Sequence, residues 1–384
     1  MQISHRLMTK LVACAFVFSS LVWLSQGASG KTLKWGYIDT AGKIVIPPAY
    51  NDCHSFVEGM ARVQDVAWGW IDKTGKRVIP LKFAHSNDFS EGYATVKYLD
   101  KWGIIDKKGN FPFPPRFEDM GDAFHHGIVA AKENGKWGFI DREGTFVMPP
   151  KYDEVHDFHN GMANVDDAGH WGFINASFAV VFKPQSPKPT DFSEDRAATC
   201  TLNGKWGFID THGNWIAKPI YRSVGNFSEG LAWVEDEKQK FHFIDKDGKV
   251  VADFAPEVTS VFDMHEGLAG TFIPSKGGAG YVDRNARFVI KPQFSLLENF
   301  EHGTAIVKKE PKAMDFRSGL IDRDGAVIIP IQYKEVHHYS NNLALVGENE
   351  RYGYVDKDAK KVIPVTFKWA LDFKENLAAV QTFK

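Results

Sequence analysis

The chain has 384 residues, of which 46 are lysine or arginine and 48 are aspartate or glutamate, and its formal net charge is −2. Nucleic-acid binding proteins need a concentrated basic surface, and this balance argues against that class. Three cysteines are also too few for a disulfide-dense secreted scaffold.

The first thirty residues predict a secretory signal peptide. Arg6 and Lys10 precede an apolar run over residues 11–24, and a stretch of small residues follows. The run is shorter than the roughly 20 residues that a bilayer-spanning helix needs. Residues 1–30 are therefore expected to direct export, with cleavage before Lys31. The remainder has no run of membrane-spanning length and is expected to be periplasmic or extracellular.

From there on the chain repeats one short phrase about every 34 residues, most fully as KWGFID at residues 136–141. Its tryptophan and glycine, termed the anchor pair, are intact in six copies: Trp35-Gly36, Trp68-Gly69, Trp102-Gly103, Trp137-Gly138, Trp171-Gly172 and Trp206-Gly207. Four later copies are altered: Phe241-His242, Ala279-Gly280, Ser318-Gly319 and Tyr352-Gly353. A period of roughly 20 to 50 residues marks arrays in which each unit buries its apolar face against the next. The anchor tryptophans are therefore expected to form an aromatic core shared between units.

The residues after each anchor pair predict three short strands. An Asp-x-x-Gly turn, such as Asp72 to Gly75, has the chemistry of a β-hairpin. The returning strand ends at a proline, such as Pro80, because proline lacks the donor that a central ladder requires. A polar loop that closes on Phe-x-x-Gly, such as Phe89 to Gly92, leads into the third strand.

These units predict an all-β fold, a tandem array of about ten three-stranded β units stacked as a curved or ring-like solenoid. Closure into a propeller is the second possibility. It ranks behind the solenoid because ten blades exceed the usual range of about 4 to 8. Residues 31–181 form the first half of the array, and residues 196–384 form a more degenerate second half. Residues 182–195, with three prolines, predict an irregular Pro-rich passage between them.

A Trp-Gly pair followed by an aromatic residue, isoleucine and aspartate resembles the repeat of the WG-repeat family. The resemblance extends from Lys34 to Val380. It implies a β-rich structural or binding module without a shared catalytic residue.

Most aromatic side chains are expected inside the array. Tryptophans outside the anchor pairs are the candidates for an exposed ligand-binding surface: Trp70, Trp215, Trp233 and Trp369. Two cysteines, Cys53 and Cys200, follow residue 30, and the sequence leaves open whether they pair.

Histidines concentrate in the polar loop of the repeat, which also carries aspartate and glutamate. The candidates for transition-metal ligands are His125, His126, His156 and His159. The Asp-x-x-Gly turns carry lysine and arginine instead, so the sequence predicts an acidic, histidine-bearing face opposite a basic face. Simple solvation of both faces is the alternative interpretation.

Local signatures of hydrolases, zinc peptidases and nucleotide-binding enzymes do not occur in the sequence. The favoured function is an exported, non-enzymatic binding scaffold for an unknown protein, peptide or glycan of the cell envelope, with no nucleic-acid partner, membrane span or resident cofactor. Two alternatives stay open: a glycan-processing hydrolase that uses two loop carboxylates about 5 to 9.5 Å apart, and transition-metal binding by the histidine-bearing loops.

Overall fold

Most repeats form a four-stranded antiparallel sheet, not three strands. The computed structural model describes residues 32–187, 189–312 and 314–383. Within these residues the chain forms ten sheets, termed blades 1 to 10 in the order of their anchor pairs. The strand absent from the sequence prediction is the first strand, which every blade except blade 6 has and which in most of them is only two residues long, as in Asp52–Cys53. Two residues are too few to show an alternating pattern.

Blade 1 pairs strands from both ends of the array, in the order β2 (Ile44–Tyr50), β1 (Leu33–Asp39), β38 (Leu377–Phe383) and β37 (Trp369–Ala370). Blade 2 contains β3 (Asp52–Cys53), β4 (Met60–Gln64), β5 (Trp68–Asp72) and β6 (Arg77–Phe83). Blade 3 contains β7 (His85–Ser86), β8 (Tyr93–Tyr98) and β9 (Lys101–Asp106). Blade 4 contains β10 (Asp119–Met120), β11 (Val129–Glu133), β12 (Lys136–Ile140) and β13 (Phe146–Tyr152).

Blade 5 contains β14 (Glu154–Val155), β15 (Met162–Asp167), β16 (His170–Asn175) and β17 (Val180–Ser186). Blade 6 contains β18 (Arg196–Cys200), β19 (Trp206–Asp210) and β20 (Trp215–Tyr221). Blade 7 contains β21 (Ser223–Val224), β22 (Leu231–Glu235), β23 (Phe241–Asp245) and β24 (Val250–Asp253).

Blade 8 contains β25 (Ser260–His265), β26 (Leu268–Ile273), β27 (Gly278–Val282) and β28 (Phe288–Phe294), with a short 3-10 helix (Pro274–Lys276) before β27. Blade 9 contains β29 (Leu296–Leu297), β30 (Thr304–Lys309), β31 (Arg317–Asp322) and β32 (Val327–Tyr333). Blade 10 contains β33 (Glu335–Val336), β34 (Ala344–Glu348), β35 (Arg351–Val355) and β36 (Lys361–Phe367).

Blade 1 closes the array into a ring. Its strand β1 pairs with β38, from Lys34 opposite Thr382 to Asp39 opposite Leu377. The expected all-β array of about ten units is thereby confirmed. Of the two arrangements predicted from the sequence, propeller-like closure is the one that forms.

A glutamate in the two-residue turn between the first and second strands links many blades. Glu58 and Gly59 both have positive φ, 51° and 83°, as a type I′ hairpin turn requires. Glu58 Oε2 accepts a hydrogen bond from Gly92 N at 3.2 Å and lies 3.0 Å from Lys107 Nζ, both in blade 3. Ten residues share this left-handed position: Glu58, Glu91, His126, Asn160, Glu194, Glu229, Glu266, His302, Asn341 and Glu375.

This contact between a turn glutamate and the next blade, which we term the glutamate clasp, also joins blade 1 to blade 2, where the ring closes. Glu375 of blade 1 accepts a hydrogen bond from Gly59 N of blade 2 at 3.1 Å and pairs with Lys73 at 2.9 Å. A left-handed conformation costs a non-glycine residue about 1 to 2 kcal/mol. The contacts of the clasp offset that cost.

These clasps contradict the prediction of an acidic face opposite a basic one. Because most blades have a first strand before the Phe-x-x-Gly turn, this turn and the Asp-x-x-Gly turn lie at the same end of the sheet. Glutamates of one blade therefore meet the basic turn residues of the next, as Arg142 meets Glu91 at 2.9 Å.

The position two residues after the anchor tryptophan is almost completely buried. Tyr37 and Phe139 at this position are at most 1 % exposed, whereas the anchor residue Trp137 is half-buried and packs against the core. Pairing jumps from Trp137 opposite Tyr152 to Phe139 opposite Met148, so β13 bulges over the anchor glycine. The expectation that the anchor tryptophans form the core is thus corrected in part. Trp171 is buried, whereas the other five are half-buried and pack against a core that the residue two positions after each anchor helps to fill.

Prolines account for the two three-stranded blades. In blade 3 the segment 111–117, with three prolines, forms only one bridge, from Phe117 to Trp102. The passage predicted to be irregular over 182–195 is strand as far as Ser186, and its effect is limited to the missing first strand of blade 6. Blades 5 and 6 stay linked, because Asn160 Nδ2 donates to Phe192 O at 3.1 Å.

Cys53 and Cys200 are both buried, and neither forms a disulfide. They lie in blades 2 and 6. Burial raises the pKa of both thiols.

Candidate functional site

Neighbouring blades meet along seams, where a side chain of one blade contacts the segment that follows the first strand of the next. At the seam between blades 2 and 3, Arg62 Nε lies 2.7 Å from Asp88 Oδ1. Other pairs of this kind are Asn87 with Asp122, Asn164 with Asp191, Trp233 with Asp263 and His337 with Asp372. In these five seams the aspartate receives a donor from the preceding blade.

Arg62 shows in most detail how a seam is filled. Besides its contact with Asp88, its Nη1 donates to the carbonyl oxygen of Ser86, and its Nη2 lies 3.1 Å from His54 Nδ1. The guanidinium carbon is 5.3 Å from the centroid of the Trp68 ring. One guanidinium therefore contacts a carboxylate, a carbonyl, an imidazole and an indole.

The seam between blades 4 and 5 has no comparable side chain. Ala130 stands at the register position of Arg62, and Gly121 stands at that of His54. The ladder bonds establish this equivalence, because Gly121 N donates to Ala130 O at 3.0 Å and His54 N donates to Arg62 O at 3.0 Å.

The missing side chains leave an open cleft of about 280 Å³, which we term the Asp157 cleft. It is lined by Gly121, Asp122, Ala130, Trp137, Val155, His156, Asp157 and His159. Blade 4 also has a longer segment here, with three residues between Met120 and Phe124, whereas two separate Val155 from Phe158 in blade 5.

The carboxylate of Asp157 lacks full compensation by positive charge. Its burial raises the pKa of Asp157, and the nearby Asp122 carboxylate acts in the same direction. His125, whose Nε2 lies 3.6 Å from Asp157 Oδ2, acts against this rise, as do His159 and His156. A cationic group that entered the cleft would stabilise the ionised form of Asp157.

The structure brings together three of the four histidines predicted as metal ligands. His156 and His159 line the cleft, and the rings of His125 and His159 are 6.5 Å apart. His126 lies apart from them in the two-residue turn, where its backbone N donates to Glu91 at 2.8 Å. Among the described residues, no group of three or more candidate ligands is already placed to hold a metal ion.

The four candidate tryptophans lie in different environments. Trp70 is only 1 % exposed and packs edge-on against Phe83 and Phe89, so its assignment to a ligand surface is corrected to the core. Trp233 fills the seam between blades 7 and 8, where its indole hydrogen-bonds to Asp263. Trp215 and Trp369 are 39 % and 50 % exposed but lie in blades 6 and 1.

The repeat pattern seen in the fold matches one known family. A family model described as WG containing repeat matches residues 35–65, 68–102, 102–137, 137–166, 171–206, 206–239, 280–312, 319–352 and 352–382. The chain belongs to the WG-repeat family. Residues 240–279, which include the altered pair Phe241-His242, lie outside these matches. No curated protein sequence matches this WG-repeat protein.

Three solved structures resemble the WG-repeat protein at low sequence identity. A eukaryotic initiation factor matches with 10% identity and a TM-score of 0.49, over 77% of this chain and 92% of that chain. BamB from Moraxella catarrhalis matches with 10% identity and a TM-score of 0.35, over 87% and 99% of the two chains. The computationally designed Ika8 protein matches with 11% identity and a TM-score of 0.38, over 77% and 95%. Similarity at this level carries no functional assignment.

The described part of the WG-repeat protein contains no helix of the length and apolarity that a membrane crossing requires. The predicted signal peptide, residues 1–30, lies outside the described residues.

Sequence reasoning about the WG repeats missed Gly121, Ala130 and Val155 as parts of a site. Gly121 and Ala130 contribute by lacking a large side chain, and Val155 contributes its backbone carbonyl. A search for side-chain motifs detects neither. The signal that could have found them is the repeat register, which places Ala130 in the same column as Arg62.

Proposed function

We propose that the WG-repeat protein is an exported, non-enzymatic binding scaffold that takes a small group of its partner into the Asp157 cleft. One observation supports this above all: Asp157 faces an open cleft at a position where other seams supply a donor side chain. Pockets for drug-sized ligands begin at about 300 Å³, so a cleft of about 280 Å³ suits one side chain or a group of similar size.

The surrounding ring supports a role in binding because it holds the cleft walls in place. On the blade 4 side, Glu91 accepts hydrogen bonds from His126 N and Gly127 N, both at 2.8 Å, and pairs with Arg142. A site that is already organised loses less conformational freedom on binding.

Filling the cleft should abolish binding to its ligands. Peptide and glycan arrays, including peptidoglycan fragments, would be probed with the wild-type protein and with Ala130→Arg, whose new side chain occupies the position of Arg62. We expect ligands of the wild type to lose at least about tenfold in affinity, or about 1.4 kcal/mol.

The matched control is Val66→Arg, which adds the same charge at a hairpin tip that is 94 % exposed and outside the cleft. This variant should bind as the wild type does. Equal binding by wild type and Ala130→Arg to every array member would contradict the cleft as the binding site.

A hydrolase remains the alternative, because Asp122 and Asp157 line the same cleft. Fluorogenic glycosides and peptidoglycan fragments would be incubated with wild type and Asp157→Asn. Turnover that depends on Asp157 would overturn the non-enzymatic part of the proposal.

Export is supported by the pattern of Arg6, Lys10 and the apolar run of residues 11–24. Residues 1–31, fused to a reporter enzyme that becomes active only after export, should give reporter activity in bacterial cells. Deleting residues 11–24 should retain the reporter in the cytoplasm, and equal activity of both fusions would refute a signal peptide.

Transition-metal binding is a second candidate, favoured because His125, His156 and His159 surround Asp157. We expect calorimetric titration with Zn²⁺, Ni²⁺ or Cu²⁺ to show uptake near about pH 7 that weakens toward about pH 5, since protons compete with metal ions for imidazole nitrogens. A double His125→Ala, His159→Ala variant should lose the uptake, whereas the exposed His212→Ala should not. Heats no larger than those of buffer would remove this candidate.

A further inference from the structure

We propose that the Asp157 cleft is a guanidinium receptor, filled by an arginine side chain of a basic peptide partner. This inference rests on the proposed binding function and adds the chemical class of its ligand. The structure carries it by repetition, because another seam of the same ring already holds an arginine in the equivalent place.

The template is the seam between blades 2 and 3. There the guanidinium of Arg62 has the Asp88 carboxylate on Nε, the Ser86 carbonyl on Nη1 and the Trp68 ring on its face. The Arg62 side chain is only 15 % exposed, so these groups bind a largely desolvated guanidinium.

The Asp157 cleft presents counterparts of those three groups. Asp157 directly precedes Phe158, as Asp88 precedes Phe89, and Trp137 is the anchor tryptophan of blade 4. Asp157, Trp137 and Val155, which correspond to Asp88, Trp68 and Ser86, all line the same cleft.

The carbonyl of Val155 takes the place of that of Ser86. Val155 pairs with Val165 as Ser86 pairs with Val96, and in each case the next residue donates the ladder bond, at 2.9 Å for His156 and 3.0 Å for Asn87. At such a register position the carbonyl points away from the neighbouring strand. Since the equivalent carbonyl of Ser86 accepts a hydrogen bond from Arg62 of the preceding blade, the Val155 carbonyl is expected to be available to a donor in the cleft.

The protein's own guanidinium is absent from this seam. Ala130 replaces Arg62, and Gly121 replaces His54, so the walls keep the acceptors without an arginine. The charged or titratable groups nearby include Lys132, whose Nζ lies 5.8 Å from the centroid of the Trp137 ring, and His125 beside Asp157. The contact between Arg62 and His54 has no counterpart in the Asp157 cleft. The cleft contains a second carboxylate instead, that of Asp122.

A guanidinium fits these groups better than an ammonium does. It is planar, offers donors in several directions at once and stacks on an indole, whereas an ammonium acts as a compact, strongly hydrated point charge. Two nearby carboxylates also favour a cation over a neutral amide.

The direct test is calorimetric titration of the full chain with N-acetyl-arginine amide, methylguanidinium and N-acetyl-lysine amide. We expect saturable binding of the two guanidinium compounds at one site per chain, with the lysine compound at least about tenfold weaker. Ala130→Arg and Asp157→Asn should each lose the binding, and Val66→Arg should retain it. Melting curves would confirm that each variant is folded.

A gain-of-function variant tests the same idea from the other side. Arg62→Ala should create a second vacancy between blades 2 and 3, so methylguanidinium should bind at two sites per chain and should raise the melting temperature of this variant more than that of wild type. Absence of guanidinium binding to wild type, or binding that Ala130→Arg leaves unchanged, would overturn the inference.

The array experiment separates this inference from the proposed function. Ligands without a guanidinium whose binding is lost in Ala130→Arg would support the cleft and refute the guanidinium. Failure of every array ligand together with failure of the guanidinium compounds would refute both.

Discussion

Replacing Trp70 with alanine should lower the free energy of unfolding by about 3 to 5 kcal/mol, the range for large aromatic residues removed from a core. Trp70 is 1 % exposed, and its ring lies 5.8 Å from that of Phe83 and 5.4 Å from that of Phe89. The substitution leaves a void between blades 2 and 3 and removes both edge-on ring contacts. Urea unfolding followed by circular dichroism measures the loss.

Trp369→Ala is the matched control. Trp369 is 50 % exposed and stacks on Tyr352 at 5.5 Å, so its loss should cost about 1 kcal/mol. If Trp70→Ala were as mild as this control and instead reduced binding on the arrays, Trp70 would belong to a ligand surface after all.

The repeat phrase predicted much of the fold because its motifs are local. Asp72 Oδ1, for example, accepts hydrogen bonds from Thr74 N and Lys76 N, as its place in an Asp-x-x-Gly turn requires. The ten units and their turns follow from such rules. The predicted end of the returning strand at proline is wrong, because β6 continues through Pro80 to Phe83 and takes up the proline in a bulge.

The two-residue first strand of most blades could not be predicted, and its omission led to the wrong charge distribution. Asp52–Cys53 has no alternation to detect, yet its presence brings Glu58 to the same end as Lys107 of the next blade. Ring closure likewise depends on pairing between residues more than 300 positions apart, as between Glu375 and Gly59.

The candidate site was predicted in part. His156 and His159 were predicted because histidines concentrate in the polar loop of the repeat, and both line the cleft. The open space of the cleft, however, results from the small residues Gly121 and Ala130. A motif search detects side chains that are present and does not detect missing ones.

The anchor glycine supplies the last large effect, because Gly138→Ala should destabilise the protein by about 2 to 3 kcal/mol. A Cβ at Gly138 would lie 2.4 Å from Met148 O and 2.9 Å from Pro149 C, both of which are backbone atoms of the bulged strand. Side-chain rotation cannot relieve such a clash, so β13 must shift away from β12.

Gly121→Ala is the control for this prediction. A Cβ there would have Ala130 Cβ as its nearest neighbour, at 3.3 Å, so the substitution should change stability by no more than about 0.5 kcal/mol.

Blade 7 supports the same reasoning. His242 replaces the anchor glycine there, and its partner strand β24 contains no proline and shows a single register shift. The glycine is therefore required by the proline bulge and not by the sheet itself. The stability of Gly138→Ala would be measured by urea unfolding. A variant as stable as the wild type would show that the bulged strand can move aside, and the Trp-Gly pair would then have no steric explanation.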